Sequence, residues 1–389
     1  MGRVLGLDYG QRRVGLALSD SRRTVVTPLR TVDRKREDLW QVLEDLLTTY
    51  PIDVIWPALA APHALDLSPY VSPEDWEDFS PVYRDNNRVE GKLVALPFYA
   101  DAGLLYYRKD LLEAYGYDHP PRTWAELEAM AQHIQNEERA RGDRDFWGFV
   151  WQGQRYEGLT CNVLEWVASH GGGTLVDARG RVTLDNPAAI RALARARRWV
   201  GWISPPGVTA YIEEDARNLF QSGHVLFMRN WPYAYALLSA PESPVRGKFG
   251  ITVLPRGEGE GGRHAVTLGG WQLMVSRYSR HPEEAVALVR YLTSAEVQKR
   301  RARDMSLLPT RRSVYADPEI QKLRPWWTVA RKVLRSAVAR PSSVAGRQYN
   351  RVSQAVFDGV HRVLTGTWSP EEAVKRISRR IQQALRRRR

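Results

Sequence analysis

Five short clusters combine aromatic rings with carboxylates, an arginine or glycines. They are Tyr99 with Asp101, Tyr156-Glu157-Gly158, Trp231-Pro-Tyr233, Gly269-Gly270-Trp271 and Arg340-Pro-Ser-Ser343. A hydroxyl both donates and accepts, so a rigid carboxylate or guanidinium gives its hydrogen bonds direction. An aromatic face covers the apolar C–H face of a sugar ring. Paired glycines let the backbone approach a ligand closely. These are tools of recognition. The spacings of bond-making sites are missing: no nucleophile elbow, no phosphate loop and no His-Glu-x-x-His stand in the chain, and its eight His are scattered. Each cluster also has a structural reading. Trp231 and Trp271 equally fit a core. Arg340 equally fits a helix cap, and Glu157 a first-turn position favoured by the helix dipole.

The elements that must position these groups alternate. Lys92 to Pro97 reads as a strand entering a short apolar and aromatic run with the polar pair Tyr99 and Asp101, which continues as a strand over Leu104 to Tyr107. Lys109 to Tyr115 reads as a short helix closed by Gly116. Thr123 and Glu126 have capping-box spacing, and Leu127, Met130, Ala131 and Ile134 continue at helical period to Arg139. A strand is expected over 146–151, helices over 159–169, 186–203 and 215–221, and a strand over 225–229 leading to Trp231. A strand over 272–275, helices over 282–292 and 295–302, and a mostly helical remainder complete the reading. Alternating strands and helices imply open α/β sheets, whose ligands sit beyond the strand ends.

A chain of 389 residues is long enough for two lobes. The formal charge is +13, read as spread along the chain with one dense run, Arg386 to Arg389. Such charge permits contact with anions, and a solvated basic surface is its plainer meaning. A single cysteine, Cys161, excludes an intramolecular disulfide and a cysteine-rich metal site. No run of about twenty apolar residues exists, so no membrane span is expected. The N-terminus reads as a strand rather than an export signal. Taken as written, it implies a cytoplasmic chain.

The stretch Leu96-Pro-Phe-Tyr-Ala-Asp-Ala-Gly-Leu-Leu-Tyr-Tyr-Arg-Lys-Asp-Leu-Leu-Glu-Ala-Tyr-Gly116 resembles the hinge region of family 1 extracellular solute-binding proteins, the ligand-capturing subunits of ABC sugar importers. The resemblance is to the trehalose/maltose-binding type and runs from about Ile52 to the C-terminus. It implies a two-lobed α/β periplasmic-binding-protein-like fold that closes at a hinge. The first lobe would hold 51–101 and 270–325, and the second 102–269 and 326–389. It also implies a disaccharide or oligosaccharide ligand such as trehalose or maltose, importer permease subunits as partners, a monomer, no catalysis, no cofactor and no metal. Its periplasmic or cell-surface location is at odds with the N-terminal reading. The five clusters match positions that line the family's sugar cleft. Tyr99, Asp101, Tyr156, Glu157, Trp231, Tyr233, Gly270, Trp271 and Arg340 carry over, with Asp53 and Trp56 added from the first lobe.

Residues Gly6-Leu-Asp-Tyr-Gly-Gln-Arg-Arg-Val-Gly-Leu-Ala-Leu-Ser-Asp20 resemble a different family, the YqgF-type putative Holliday-junction resolvases of RNase H-like fold. There Asp8 would be the first metal-binding carboxylate. The later acidic motifs are missing, because the sequence changes family after Tyr50-Pro-Ile-Asp-Val-Ile55. A lone Asp8 cannot build a two-metal site, so nuclease or nucleic-acid-binding activity is the lesser alternative. RNase H-like strands over 1–50 would replace the usual start of the first lobe, as in a fusion or truncated derivative. A polysaccharide-degrading enzyme is a third reading. It needs two carboxylates flanking the scissile bond, and Asp101 with Glu157 is the pair available.

Overall fold

A computed structural model describes residues 5–9, 13–19, 26–33, 61–323, 329, 332–333 and 335–386. Three strands near the start, Leu5–Tyr9, Arg13–Ser19 and Val26–Asp33, form an antiparallel sheet in sequence order. Asp53 and Trp56 lie outside the described residues. Three antiparallel strands by themselves do not establish the RNase H-like start that the sequence implies.

The chain divides into two compact units. The first holds Met1–Tyr99, Trp271–Gln298 and Thr310–Ser313, and the second holds Ala100–Gly270, Lys299–Pro309 and Val314–Arg389. Residues Lys299–Pro309, and those from Val314 onward, thus cluster with the second unit, whereas the sequence groups 270–325 together. Two of the passages between units fall inside strands, Leu96–Ala102 and Val266–Leu273.

In the first unit Leu67, Trp76, Phe79, Leu93, Leu96, Val275, Val286 and Val289 make the core. The helix Pro73–Asp78 starts at Ser72, whose side chain accepts the Asp75 amide. Asp75 and Asp78 then bind the buried Arg311 at 2.7 and 3.2 Å, and its guanidinium lies 4.0 Å over the Phe79 ring. The helix Pro282–Leu292 buries Val286, Val289 and Leu292 at helical spacing.

The second unit is built on a four-stranded sheet, ordered Phe249–Thr252, Leu104–Arg108, Val225–Asn230, Trp147–Val150. The first two pairings are antiparallel and the last is parallel. Helix Trp124–Ala140 starts as its sequence requires: Thr123 Oγ1 accepts the Glu126 amide at 3.1 Å. Glu126 turns outward to the Arg122 amide instead of closing the box. Gly116 and Gly171 end their helices at φ of +80° each, the left-handed region that glycine enters without a Cβ penalty.

Trp124, Trp151, Trp166 and Trp199 are buried together, with ring centroids 5.0–6.4 Å apart. The indoles of Trp124, Trp151 and Trp199 donate to Ser169, Ser204 and Glu128. Much of the chain's tryptophan is therefore core.

Candidate functional site

Asp101 lies near the end of Leu96–Ala102, a strand buried along almost its whole length. It is 9% exposed, and its Oδ1 has no hydrogen-bond partner among the described residues. Burial pushes its carboxyl up to about 8, with Arg229 and Arg340 pulling the other way and Glu213 adding to the rise. At neutral pH the group is mostly an un-ionised acid that can both donate and accept.

Strand Val225–Asn230 brings Arg229 to the same place. Its register against Leu104–Arg108 sets Leu105 opposite Arg229 and Leu104 opposite Asn230. Arg229 is fully buried and forms a two-pronged pair with Glu165 from helix Glu157–Ser169, at 2.5 and 2.9 Å. Gln152 accepts from Arg229 Nη1 at 3.1 Å and donates to its carbonyl at 3.0 Å. The Thr267 amide donates to Glu165 at 3.0 Å. Burial opposes the arginine charge, but Glu165 more than offsets this and holds the guanidinium above its ordinary value. Gly103 makes the approach possible, since a Cβ there would collide with Glu165 Oε1.

Trp231 lies on this ion pair, with the Arg229 guanidinium 3.9 Å from its ring centroid. Its indole N–H donates to Glu213 at 3.1 Å, and Tyr106 donates to its carbonyl at 2.8 Å. The other Glu213 oxygen accepts the Tyr156 hydroxyl at 2.6 Å. Glu214 takes the Tyr233 hydroxyl at 2.7 Å. Two carboxylates in the first turn of helix Glu213–Gln221 thus fix three half-buried rings. Burial, and then Glu213, raise the Tyr156 phenol well above its ordinary value. Gly269 completes the corner: a Cβ there would stand 2.9 Å from Asp101 Cβ and 3.1 Å from the Trp231 ring. Gly270 follows at φ +127°, a conformation that L side chains rarely adopt.

Arg340 and Glu157 belong to a second layer. Glu157 accepts from Arg340 at 3.0 Å, from Tyr349 at 2.6 Å and from Ser353. Both its oxygens are thus engaged within the chain, and it anchors Arg340 in place. Arg340 also reaches Cys161 Sγ at 3.4 Å and the Leu268 carbonyl at 3.5 Å. In the first unit Tyr99 and Trp271 are half-buried neighbours, with ring centroids 6.2 Å apart and planes inclined by 31°.

Arg229, Glu165, Gln152 and Glu213 are missing from the sequence reading. One signal for the buried pair is visible: Arg229 is the one base of an apolar strand, and Glu165 is the one acid past the first turn of an apolar helix. Glu213 is missed because the sequence reading starts its helix two residues late.

Fold and site define a class of protein. Residues 46–299 match the family model described as bacterial extracellular solute-binding protein, and the chain belongs to that family. Its fold is that of the two-lobed periplasmic sugar-binding proteins. A probable ABC transporter-binding protein of Deinococcus radiodurans is 48% identical over 328 residues, covering 84% of this chain and 77% of that one. The maltose-bound MalE3 of T. maritima is 40% identical with a TM-score of 0.79, covering 88% of each chain. A solute-binding protein from Thermotoga lettingae, solved with α-D-tagatose, is 25% identical with a TM-score of 0.75 over 89% of each chain. A separate model, described as Holliday junction resolvase, matches residues 2–56.

Proposed function

We propose that this chain captures a disaccharide or oligosaccharide, of the maltose or trehalose kind, for an ABC importer. The observation that carries this is Asp101: a buried acid with an open oxygen, beside a Trp231 ring held flat on the Arg229–Glu165 pair. A sugar ring laid on Trp231 places its apolar face on the indole and its hydroxyls at the rim, within reach of acid and arginine groups. Tyr156, Tyr233, Gly270 and Arg340 frame the same corner, with Glu157 behind Arg340. Within the first unit, Tyr99 and Trp271 offer a further pair of neighbouring aromatic faces for a sugar. The maltose-bound relative supports an α-linked glucose disaccharide over a polyol.

The test is isothermal titration calorimetry with maltose, trehalose and sucrose. A saturable heat is expected, and both Trp231→Ala and Trp271→Ala should reduce affinity by about 10- to 100-fold, as for a lost stacking plate of roughly 1–3 kcal/mol. A folded protein that gives no saturable heat with any of the three sugars defeats the proposal.

A further inference from the structure

The charge of this chain is not spread evenly. Residues 324–389 contain sixteen Lys and Arg against three acids, while the preceding 323 residues hold forty-one of each. The whole excess of +13 therefore resides in the last sixth of the chain.

The structure gives this charge a face. Helix Pro370–Arg386 buries Ala373, Val374, Ile377, Ser378, Ile381 and Ala384. It packs that side on helices Tyr349–Leu364 and Pro187–Trp199. Its other side is exposed and cationic: Lys375, Arg376, Arg379, Arg380 and Arg386. Spacings of four and seven residues align Lys375, Arg379 and Arg386 in one stripe, with Arg376 and Arg380 in the stripe beside it. Arg376 is paired to Glu372 at 2.6 Å, and Arg380 to Asp358 at 3.3 Å. Glu371 stands one turn before Lys375 and feels its charge, but no ion pair within 4 Å engages Lys375, Arg379 or Arg386 among the described residues. Arg362 and Arg376 lie over the Trp368 ring, at 5.0 and 4.8 Å, which extends the charge onto the neighbouring helix.

A helix needs no such row for its own stability. Cations favour its last turn through the dipole, but that effect fades within one turn, and this row spans three. We infer that the exposed face of helix Pro370–Arg386 is a docking surface for anionic lipid headgroups. The charge is complementary, and the row from Lys375 to Arg386 is about 16 Å long, which suits a plane of phosphates. No exposed aromatic ring stands on the helix to stack on bases, which argues against nucleic acid. No apolar residue stands there to insert, so attachment is electrostatic and reversible. It would keep an extracellular binding protein close to the membrane that holds its importer.

The experiment is co-sedimentation of the full chain with vesicles of 30% phosphatidylglycerol in phosphatidylcholine, against pure phosphatidylcholine, at low and high sodium chloride. Partition into the anionic vesicles is expected at low salt, lost at high salt and absent from the neutral ones. The triple variant Lys375→Gln, Arg379→Gln, Arg386→Gln should partition about 100-fold less, at roughly fivefold per cation. Its maltose titration and thermal unfolding should match the parent, and the conservative Arg379→Lys, Arg386→Lys variant should keep binding vesicles. Equal binding to both vesicle types, or an unchanged triple variant, overturns the inference. So does tighter binding to duplex DNA than to anionic vesicles, or release by inorganic phosphate beyond that of chloride at equal ionic strength.

Discussion

Asp101→Asn removes one charge and keeps the shape of the side chain. In the folded chain the carboxyl is pushed up to about 8, against an ordinary value of 3.8. The folded state therefore holds a proton that the unfolded chain releases between those two values. Stability from this group is full below about pH 4 and is lost as pH rises through 8. One proton corresponds to a slope of about 1.4 kcal/mol per pH unit, so wild type loses up to about 4 kcal/mol between pH 5 and pH 8. For a unit of this size that is about 10 °C in Tm. Asparagine cannot ionise and escapes the loss. Scanning calorimetry of the sugar-free proteins at pH 5, 6, 7 and 8 reads the difference. The melting temperature of the variant relative to wild type should rise by about 10 °C between pH 5 and pH 8. Parallel curves would refute the reasoning. They would mean that Arg229 and Arg340 keep the carboxylate ionised throughout, so that attraction outweighs burial.

Two further substitutions probe the support of the site. Arg229→Met leaves Glu165 buried and unpaired and should cost about 3–5 kcal/mol in urea unfolding, most of it recovered when Glu165→Met is added. If the double variant is as unstable as the single, the pair is not the source of the loss. Gly269→Ala places a methyl group 2.9 Å from Asp101 Cβ and 3.1 Å from the Trp231 ring. Overpacking of this kind costs about 1–3 kcal/mol, and calorimetric titration should show maltose affinity falling by about tenfold or more as Trp231 shifts. Unaltered affinity would mean that the ring tolerates displacement.

Local order was legible in the sequence because its causes lie within one turn of chain. Thr123 caps its helix, Leu127, Met130, Ala131 and Ile134 face inward, and Gly116 ends a turn, all as their spacing requires. The family resemblance also named Asp101, Trp231 and Arg340 as residues of interest. Their physical roles were not legible. Strand order alone brings Arg229 to Glu165 across 64 residues, and their union turns Trp231 from a possible core residue into a plate laid on a cation. Trp124, Trp151, Trp166 and Trp199, of the same residue type, are core because the helices close around them. Glu157 reads as a ligand carboxylate in one dimension; in three, Arg340, Tyr349 and Ser353 consume both its oxygens. Sequence determines which groups a segment carries and which face of its element they occupy. Whether a group meets a partner or is left open, as Asp101 is, depends on the packing of distant segments.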